Sequence, residues 1–433
     1  MSRIVIVADD LTSATDCGAQ MMVAGYRTVI PLRPDLTVPE DIDILALDTD
    51  SRNVPAREAY RLTREAVAAF GGDPRTVFYK SIDSTLRGNL GAELDAIFDA
   101  GAFDAAVIAP AFPTYGRTTR NGLQLLDGRP LDQTEFASDP TAPVTSADIA
   151  RRFAEQSRRS AALLSLGVQK EGAAAVFEAL EQRRKAGDRL FIFDAAEEGD
   201  LERLAGIIGA LPGRFLWVGS TGLSRYVPRA VGLTPHPTPR PVTVAGGCVL
   251  VVAGSASKTT RAQLDACAET SDFVEVRIDS RAIAEGSGPE EEELGRVRRL
   301  LRAAAGRSGA AALTLTAGRA EIAETKALAA KRGLAAGEIE TYLARTLGLL
   351  TAELLNGGTR VKGLVLTGGT TAKMIVSQVP ADAIEILEEI EPGIPLGHMS
   401  GRDALLVVTK AGGFGGPGAI LESVERIAGY GRG

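Results

Sequence analysis

The chain has 433 residues, of which 45% are hydrophobic and 24% are charged, and this is enough for two globular domains that each have a hydrophobic core. A formal net charge of −7 excludes the excess of clustered Lys and Arg that nucleic-acid binding requires, so no nucleic-acid partner is expected. The cysteines (Cys17, Cys248 and Cys267) and the histidines (His236 and His398) are widely separated in the sequence. They show no metal-ligand spacing and argue against Ser-His-Asp or Cys-His catalysis.

The N-terminus and the hydropathy pattern favour a cytoplasmic protein that has no contact with a membrane. The first apolar run ends in two acids, whereas a signal peptide has an apolar region of about 7 to 15 residues followed by small residues. No run of about 18 apolar residues, the length of a transmembrane helix, occurs in the chain.

Short apolar runs alternate with longer helical segments in the first half of the chain, which is typical of βα units around a parallel sheet. The predicted strands are Ile4–Ala8, Ile44–Leu47, Val77–Tyr79, Ala105–Ala109, Leu163–Leu166, Leu190–Phe193 and Phe215–Val218. Helices are predicted between these strands, for example over Arg57–Phe70 and Leu90–Ala100.

A stretch rich in proline follows, and it predicts a linker over 233–247 between an N-terminal domain, 1–232, and a C-terminal domain, 248–433. A second α/β series then begins. Its predicted strands are Val249–Ala253, Val274–Arg277, Ala312–Thr316, Gly363–Thr367, Ala383–Ile386 and Leu405–Val408. We therefore predict an α/β fold of two domains, each a largely parallel sheet flanked by helices.

Ligands of open α/β sheets bind beyond the carboxyl ends of the strands, so the residues after each strand are candidates for function. Polar segments follow several strands of the first half. They are ADDLTSATD (Ala8–Asp16), DTDSR (Asp48–Arg52), KSIDSTLRGNLGAEL (Lys80–Leu94), APAFPTYGRTTRNG (Ala109–Gly122) and GSTGL (Gly219–Leu223).

The segment from Lys80 to Leu94 is the richest in polar groups. Its side chains suit a polyhydroxylated carboxylate, because Arg or Lys can hold the carboxylate while Asp, Asn and Ser bind hydroxyl groups. The candidates are Lys80, Ser81, Asp83, Ser84, Thr85, Arg87 and Asn89. The alternative is a capped helix start with Ser81 or Asp83 as N-cap and an exposed Arg87, although capping does not require both cations.

Asp9 and Asp10 directly follow the first predicted strand. Either could cap a helix that begins near Leu11. A carboxylate at this position can also accept a proton from an attacking hydroxyl group or orient that group. Adjacent side chains on an extended backbone point in different directions, so we expect the two acids to have different roles.

Glycine-rich segments follow three strands of the second half and precede predicted helices. They are VAGSASKTT (Val252–Thr260), LTGGTTAKM (Leu366–Met374) and TKAGGFGGPGAI (Thr409–Ile420). Glycine allows close approach of the backbone to a phosphate, and the N-terminus of the next helix supplies N–H donors. Three such segments favour a nucleotide-binding domain over three ordinary tight turns.

None of the three segments is a P-loop, since G-x-x-x-x-G-K-[ST] does not occur. The GGFGGPGA run suggests a dinucleotide turn only superficially, because it lies near the end of the chain and Pro417 suits the first position of a helix. Lys258, Lys373 and Lys410 are as consistent with surface positions as with phosphate contacts.

The order of these motifs along nearly the whole chain resembles the four-carbon acid sugar kinase family, whose members include D-threonate, D-erythronate and 3-oxo-tetronate kinases. The resemblance implies a sugar-acid domain at the N-terminus, an ATP domain at the C-terminus and phosphoryl transfer to the terminal hydroxyl group of the acid. ATP and Mg²⁺ are the implied cofactors, with the active site in the cleft between the domains and closure across the linker. The sequence does not predict which residues would bind the metal. A homodimer is an expectation.

The resemblance also implies which residues form the sites. The substrate motifs fall on Asp10, Arg52, Lys80, Ser81, Asp83, Ser84 and Arg87. The nucleotide contacts fall on Ser255, Ser257, Gly368, Gly369, Thr370, Thr371, Gly412 and Gly413. Asp10 is the candidate for orienting or deprotonating the hydroxyl group, with Asp9 as the alternative, while Arg87 and Lys80 would hold the carboxylate or neutralise the transferred charge.

Two positions depart from the family pattern. Thr370 stands where an acidic residue is frequent after two glycines, which bears on nucleotide preference or metal handling. Ser13 stands where glycine is usual, which bears on the shape of the substrate site. An NAD(P)-dependent sugar-acid dehydrogenase and a non-catalytic sugar-acid sensor are the alternatives, but the early dinucleotide fingerprint that the dehydrogenase needs is absent from the sequence.

Overall fold

The computed structural model describes residues 3–33, 39, 41–138, 143–236, 242–255, 257–270, 272–307, 309–316, 318–401 and 405–431. The chain divides into two compact units. Unit 1 comprises Met1–Ile30 and Val38–Thr238, and unit 2 comprises Pro31–Thr37 and Pro239–Gly433. The predicted linker, 233–247, lies partly outside the described residues, and the boundaries 1–232 and 248–433 stay predictions.

Unit 1 contains a large sheet, a small sheet and flanking helices. Its strands are β1 (Arg3–Ala8), β2 (Thr28–Pro31, whose last residue belongs to unit 2), β3 (Ile44–Asp48), β4 (Thr76–Ser81), β5 (Ala105–Ala109), β6 (Arg117–Arg120), β7 (Leu123–Leu126), β8 (Arg129–Pro130), β9 (Ala161–Leu164), β10 (Leu190–Phe193) and β11 (Phe215–Gly219). Its helices are α1 (Leu11–Val23), α2 (Ala56–Val67), α3 (Leu90–Ala100), α4 (Ile149–Gln156), α5 (Leu166–Glu171), α6 (Ala173–Lys185), α7 (Glu198–Ala210), α8 (Thr221–Ser224) and α9 (Val227–Ala230). Single 3₁₀ turns cover Pro113–Tyr115, Leu131–Gln133 and Glu135–Ser138.

The large sheet of unit 1 is parallel and has the strand order β2-β3-β1-β4-β11-β5-β10-β9. Its central strands are apolar on both faces, as expected where helices cover both sides of a sheet, and Ile4 to Ala8 are fully buried. The small sheet, β6-β7-β8, is antiparallel.

The order of strands around β1 creates a topological switch point. The chain passes from β1 to β2 and β3 on one side and then to β4 on the other. Ligands of doubly wound sheets bind at such a point, outside the carboxyl ends of the two strands that flank it. In unit 1 this position is occupied by the residues that follow β1 and β4.

Unit 2 is a second α/β unit. Its strands are β12 (Cys248–Ala253), β13 (Phe273–Ile278), β14 (Ala310–Leu315), β15 (Val361–Thr367), β16 (Ala381–Glu391), β17 (Ile394–Gly401) and β18 (Leu405–Lys410). Its helices are α10 (Lys258–Ala268), α11 (Ser280–Glu285), α12 (Ser287–Arg307), α13 (Arg319–Lys331), α14 (Ala336–Asn356), α15 (Gly369–Val376) and α16 (Ala419–Gly429).

The sheet of unit 2 has the order β13-β14-β12-β15-β18-β17-β16. The strands from β13 to β18 in this order are parallel, and β17 and β16 pair antiparallel. The switch point lies between β12 and β15, because the chain places β13 and β14 on one side of β12 and β15 on the other. The predicted fold of two largely parallel sheets with flanking helices is confirmed.

The predicted elements differ from the observed ones mainly at the edges of the sheets. The sequence analysis missed β2, the small sheet and β17, which are short or lie outside the parallel βα pattern. The strand predicted over Leu163–Leu166 was shifted, since β9 ends at Leu164 and Leu166 begins α5. In the described part of the chain, no helix combines the length and the apolar character needed to cross a bilayer.

Candidate active site

Asp9 and Asp10 lie directly beyond the end of β1, at the switch point of unit 1. The structure gives them different partners, as their opposite directions on an extended backbone predict. Asp10 is the N-cap of α1, with φ −149° and ψ 164°, and its side chain accepts a hydrogen bond from the Ser13 N–H at 2.7 Å. The capping interpretation of Asp10 is therefore correct, and it leaves one carboxylate oxygen for other contacts.

Arg52 joins the two acids from the loop after β3. Its Nε and Nη2 donate to the two oxygens of Asp9 at 2.7 and 2.8 Å, which is the bidentate geometry that guanidinium and carboxylate favour. Its Nη1 pairs with Asp10, and its Nη2 also donates to the Ser13 hydroxyl at 2.9 Å. Arg52 thus fixes both carboxylates, and Ser13 adds a contact to this arginine.

The pKa values of Asp9 and Asp10 are shifted in opposite directions. Burial opposes ionisation of Asp9, but Arg52 outweighs burial and holds the pKa of Asp9 below its ordinary value. Burial, together with the negative charge of Asp9, raises the pKa of Asp10, although Arg52 opposes this shift. The Asp9 side chain is 2% exposed and the Asp10 side chain 17% exposed. Asp10 is therefore the more accessible and the more basic carboxylate.

Lys80 and Glu93 form a buried ion pair next to these acids. Lys80 Nζ lies 2.8 Å from Glu93, and the two side chains are 0% and 1% exposed. The ammonium group also donates to the carbonyl oxygens of Ser81, at 2.6 Å, and Val7, at 3.3 Å. A direct contact between Lys80 and a substrate stays a prediction, but in this structure its donors have protein acceptors.

Glu93 continues this network towards Arg52. Its second oxygen accepts a hydrogen bond from the Ser51 hydroxyl at 2.6 Å, and Ser51 is 2.7 Å from the Thr49 hydroxyl. Glu93 is a residue that the sequence analysis missed, because a glutamate in the first turn of a helix ordinarily complements the helix dipole at the surface. Only the burial of Glu93 beside Lys80 shows that it belongs to an internal ion pair.

Asp83 and Arg87 follow β4 at the other side of the switch point. Arg87 pairs with Asp83 and is 28% exposed, and its guanidinium lies 5.4 Å from the centre of the Phe136 ring. Burial alone would raise the pKa of Asp83, but Arg87 and Arg52 bring it well below its ordinary value. The alternative with Ser81 or Asp83 as N-cap is wrong, since α3 begins at Leu90.

Two further predicted residues of this segment, Ser81 and Ser84, have separate environments. The Ser81 hydroxyl is 3.2 Å from the buried Cys17 thiol, whose pKa burial raises to about 12. Ser84 is 7% exposed, and its carbonyl oxygen accepts a hydrogen bond from Gln124. Ser81 therefore lies against α1, whereas Ser84 remains with the loop after β4.

Arg117, at the start of β6, is a second residue whose role the sequence analysis missed. Burial lowers the pKa of its guanidinium, and the negative charge of Asp83 opposes this shift. Its Nη1 donates to the Tyr115 carbonyl at 2.9 Å. The segment APAFPTYGRTTRNG was recognised as polar, but only the small sheet shows that its first arginine lies near Asp83.

The three glycine-rich segments of unit 2 meet at the switch point beside β12. A Cβ atom at Gly254 would lie 2.0 Å from the Thr371 hydroxyl, and one at Gly412 would lie 2.4 Å from the Ser255 hydroxyl. The Gly368 N–H donates to the Lys410 carbonyl at 3.0 Å. These contacts join the loops after β12, β15 and β18, and the absence of side chains at the glycines permits the close approach.

The other predicted nucleotide contacts lie on the same loops. Ser257 is the N-cap residue of α10, and its N–H donates to the Ser255 hydroxyl at 3.1 Å. Gly368, with φ +97°, precedes α15, of which Gly369 is the first residue. Thr370 is exposed and Thr371 is buried, while Gly413 is exposed on the third loop. The N-termini of α10 and α15 therefore lie beside these loops, a position that favours phosphate binding.

The lysines of these loops differ in exposure. Lys410 is fully buried, and its Nζ donates to the carbonyl oxygens of Ala411 and Gly412 at 3.0 and 3.4 Å. A surface position for Lys410 is therefore wrong, whereas Lys258 is exposed. Within the described ranges, no group of three or more His, Cys, Asp or Glu side chains could hold a metal ion.

Comparison with known protein families matches both halves of the chain. Residues 4–227 match the model of a sugar-binding N-terminal domain, and residues 250–420 match the model of a nucleotide-binding C-terminal domain. The two matches coincide with the units that contain the acidic site and the glycine-rich loops.

Curated relatives are similar over nearly the whole chain. A D-threonate kinase of Salmonella typhimurium is 34% identical and covers 98% of each chain. A D-erythronate kinase of Heliobacterium modesticaldum is 31% identical over 99% of this chain and 97% of the relative. A 3-oxo-tetronate kinase of Pseudomonas fluorescens is 30% identical over 98% of this chain and 96% of the relative.

Solved structures share the fold. One, from Salmonella typhimurium LT2 and named as a tRNA synthase, has a TM-score of 0.80 at 23% identity and covers 98% of this chain and 99% of the other. A Haemophilus influenzae protein has a TM-score of 0.72 at 22% identity, with coverage of 98% and 100%. At these identities the likeness establishes the architecture and no activity.

Proposed function

The chain belongs to the four-carbon acid sugar kinase family, and from this premise we propose that it transfers the γ-phosphoryl group of ATP to the terminal hydroxyl group of a four-carbon sugar acid. The observation that carries the proposal is the pairing of Asp10 with a fixed Arg52 at the switch point of a sugar-binding unit. Three glycine-rich loops in contact with one another occupy the equivalent position of the nucleotide-binding unit, and they support ATP as the phosphate donor.

Asp10 is the proposed general base. It has the higher pKa of the two acids and an accessible side chain, both of which suit proton transfer from a hydroxyl group. Its capping bond to Ser13 and its pairing with Arg52 hold the carboxylate in one orientation. Asp9, buried and held ionised by Arg52, is proposed to position that arginine rather than to accept the proton.

Arg87 is the proposed contact for the carboxylate of the sugar acid. The nitrogens of Arg52 are engaged by Asp9, Asp10 and Ser13, so this arginine orients the acids. Arg87 is more exposed than Arg52 and can form a bidentate pair with a carboxylate. Asp83 and Ser84 are proposed to bind hydroxyl groups of the acid, and Arg117 adds positive charge beside Asp83.

ATP is the proposed phosphate donor, bound at Ser255, Ser257, Gly368, Gly369, Thr370, Thr371, Gly412 and Gly413. Backbone N–H groups at these glycines and at the N-termini of α10 and α15 suit phosphate oxygens. Mg²⁺ is proposed to bind together with ATP, and it would neutralise phosphate charge during transfer. Mg²⁺ in phosphoryl-transfer sites is held by phosphate oxygens, water and one or two carboxylates, so it does not need the group of three or more ligating side chains that the described residues lack.

A turnover assay tests this proposal. The protein is incubated with ATP, Mg²⁺ and each of D-threonate, D-erythronate, L-threonate and 3-oxo-tetronate, and ADP release is followed. We expect ADP release with at least one acid, and NMR should place the phosphate on its terminal hydroxyl group. No ADP above the background for any of these acids would overturn the kinase proposal.

The same panel separates the alternatives. A dehydrogenase would change NAD(P) absorbance with an acid and release no ADP, and a sensor would bind an acid without turnover. The preferred acid and stereoisomer follow from the kcat/KM ratios across the panel. A homodimer and a cytoplasmic location remain predictions, which light scattering and fractionation can test.

A further inference from the structure

Gln263 lies on α10 and contacts the glycine-rich loop after β18. The side chain is fully buried, and its Nε2 lies 3.1, 3.2 and 2.8 Å from the carbonyl oxygens of Phe414, Gly415 and Gly416. Its Oε1 has no hydrogen-bond partner in the described part of the chain. Burying an amide oxygen without a hydrogen bond costs free energy. We therefore attribute the role of Gln263 to the hydrogen bonds that its Nε2 donates.

Thr260, one helical turn earlier on α10, contacts the same loop. Its hydroxyl donates to the Gly412 carbonyl at 2.9 Å, and the residue is fully buried. Residues three apart lie on the same face of a helix. One face of α10 therefore binds the carbonyl oxygens of Gly412, Phe414, Gly415 and Gly416.

These carbonyl contacts determine where the N–H groups of the loop point. In a trans peptide the C=O of one residue and the N–H of the next point in opposite directions, and the described chain has no cis peptide bond. The N–H of Gly416 shows the effect, because it donates to Glu391 on β16 at 2.8 Å while the Gly415 carbonyl contacts Gln263.

The N–H groups of Gly413 and Gly415 follow the same rule. Each succeeds a carbonyl that is bound to α10, so each points away from this helix. Neither donates to an acceptor within the residues that the structure describes. Gly415 has φ +83°, which favours glycine, and a Cβ atom at Gly413 would meet nothing within 4 Å. The loop thus presents two N–H donors that no described acceptor uses, and the surroundings of Gly413 are open, whereas those of Gly415 are close-packed. N–H donors of this kind suit anions.

We propose that Gln263 and Thr260 are positioning residues, which bind the carbonyl oxygens of this loop so that its N–H groups face the phosphate groups of ATP. This inference rests on the proposed nucleotide site and extends it to residues that do not touch the nucleotide. Loss of either side chain would let peptide planes of the loop rotate, and the oriented N–H donors would be lost.

The test uses the full chain and four proteins: the wild type, Gln263→Met, Thr260→Val and the control Gln169→Met. Gln169 is a fully buried glutamine of unit 1 that donates to the Asp194 carbonyl at 2.9 Å and also has an Oε1 without a partner among the described residues. It matches Gln263 in burial and in its unpartnered oxygen, but it donates to one carbonyl oxygen and lies in the other unit. Calorimetry gives the Kd of ADP and of adenosine, and kinetics give the KM of ATP and of the acid.

We expect Gln263→Met to raise the Kd of ADP and the KM of ATP about five- to tenfold, as loss of roughly one hydrogen bond's worth of orientation predicts. The KM of the acid and the Kd of adenosine should change less than about twofold, because neither involves the phosphate donors. Thr260→Val should show a smaller change in the same direction. Hydrogen exchange at 412–416 should become faster in both variants.

Other outcomes overturn the inference. A folded Gln263→Met protein with the wild-type Kd for ADP contradicts it, as does an equal loss of affinity for adenosine or an equal effect of Gln169→Met. If Gln263→Met does not fold, unchanged ADP binding by Thr260→Val decides against it. Failure of the wild type to bind ADP is a different result, because it overturns the proposed function itself.

Discussion

Arg52 binds Asp9 through two parallel N–H···O bonds of 2.7 and 2.8 Å while its third nitrogen pairs with Asp10. One guanidinium therefore holds two adjacent carboxylates that would otherwise repel each other. The arrangement uses the planar fork of arginine, which lysine lacks. It makes the orientation of Asp10 depend on a residue that follows a different strand.

Arg52→Lys should lower kcat about tenfold or more, because an ammonium group cannot bridge both acids in this geometry. Steady-state kinetics with the preferred acid measure the effect. Arg61→Lys is the control, since Arg61 also pairs with two carboxylates, Glu58 and Glu65, but is 51% exposed on α2. Equal kcat values for the wild type and Arg52→Lys would contradict a role of Arg52 in orienting Asp10.

Asp10→Asn should lower kcat by about 10² or more while changing the KM of the acid much less, because it removes the base and keeps the shape. Asparagine is as good an N-cap as aspartate, so the thermal midpoint should remain close to that of the wild type. Kinetics and a melting curve on the same preparation separate catalysis from folding. An unchanged kcat would rule out Asp10 as the base.

The pH dependence of kcat/KM should report the raised pKa of Asp10. A base must be ionised, so activity should fall as the pH falls through this pKa, and the midpoint of the acidic limb should lie above the ordinary aspartate value of about 3.9. Asp10→Asn should remove the limb from its residual activity. A wild-type midpoint at or below the ordinary value would assign the limb to a different group.

The pH dependence of the stability of unit 1 should report the lowered pKa of Asp9. The pKa of Asp9 is lower in the folded than in the unfolded chain, so its stabilising contribution is present above the unfolded pKa and is lost as the pH falls through the folded one. Urea unfolding at several acidic pH values measures this. Asp9→Asn should flatten the dependence, and an unchanged slope in that variant would contradict the assignment.

Lys80→Met should destabilise unit 1 by about 3 to 5 kcal/mol, because it leaves Glu93 buried without its cation. The fluorescence of Trp217, the single tryptophan, is the probe, since β11 pairs with β4 beside Lys80. Lys80→Met combined with Glu93→Leu should recover much of the loss. Lys185→Met, at an exposed lysine, should change the unfolding free energy by less than about 0.5 kcal/mol.

A result in which the double variant is no more stable than Lys80→Met would show that the pair is not the source of the loss. The same proteins address substrate contact. If Lys80 only supports the loop of Ser51 and Arg52 through Glu93, the folded double variant should bind the acid with a KM within a few-fold of the wild type. A KM raised by about 10² would instead favour a direct contact between Lys80 and the carboxylate.

Gly254→Ala should raise the KM of ATP by about tenfold or more, because its methyl group would lie 2.0 Å from the Thr371 hydroxyl and separate the first two glycine-rich loops. The KM of the acid should be nearly unchanged. Gly246→Ala is the matched control, as a Cβ atom there meets nothing within 4 Å. Equal ATP kinetics for the two variants would show that close contact of these loops is not needed.

Much of the fold follows from the sequence because its physical signals are local. Buried parallel strands such as β1 and β5 appear as continuous apolar runs, and α3 was predicted with its observed bounds, Leu90–Ala100. The strands β2, β9 and β17 were missed or shifted because they are short, lie at an edge or pair antiparallel. Their positions depend on neighbours that are distant in the sequence.

The sequence by itself determined the α/β architecture, the position of polar residues after the strands and the family, since periodicity and motif order are properties of the chain alone. Only the tertiary structure decided what these residues do to one another. It made Asp10 a helix cap of raised pKa, paired Lys80 with Glu93, and placed Gln263 against the glycine-rich loop. Burial and the distance between remote residues set charge and orientation, and both arise only when the strands assemble into sheets.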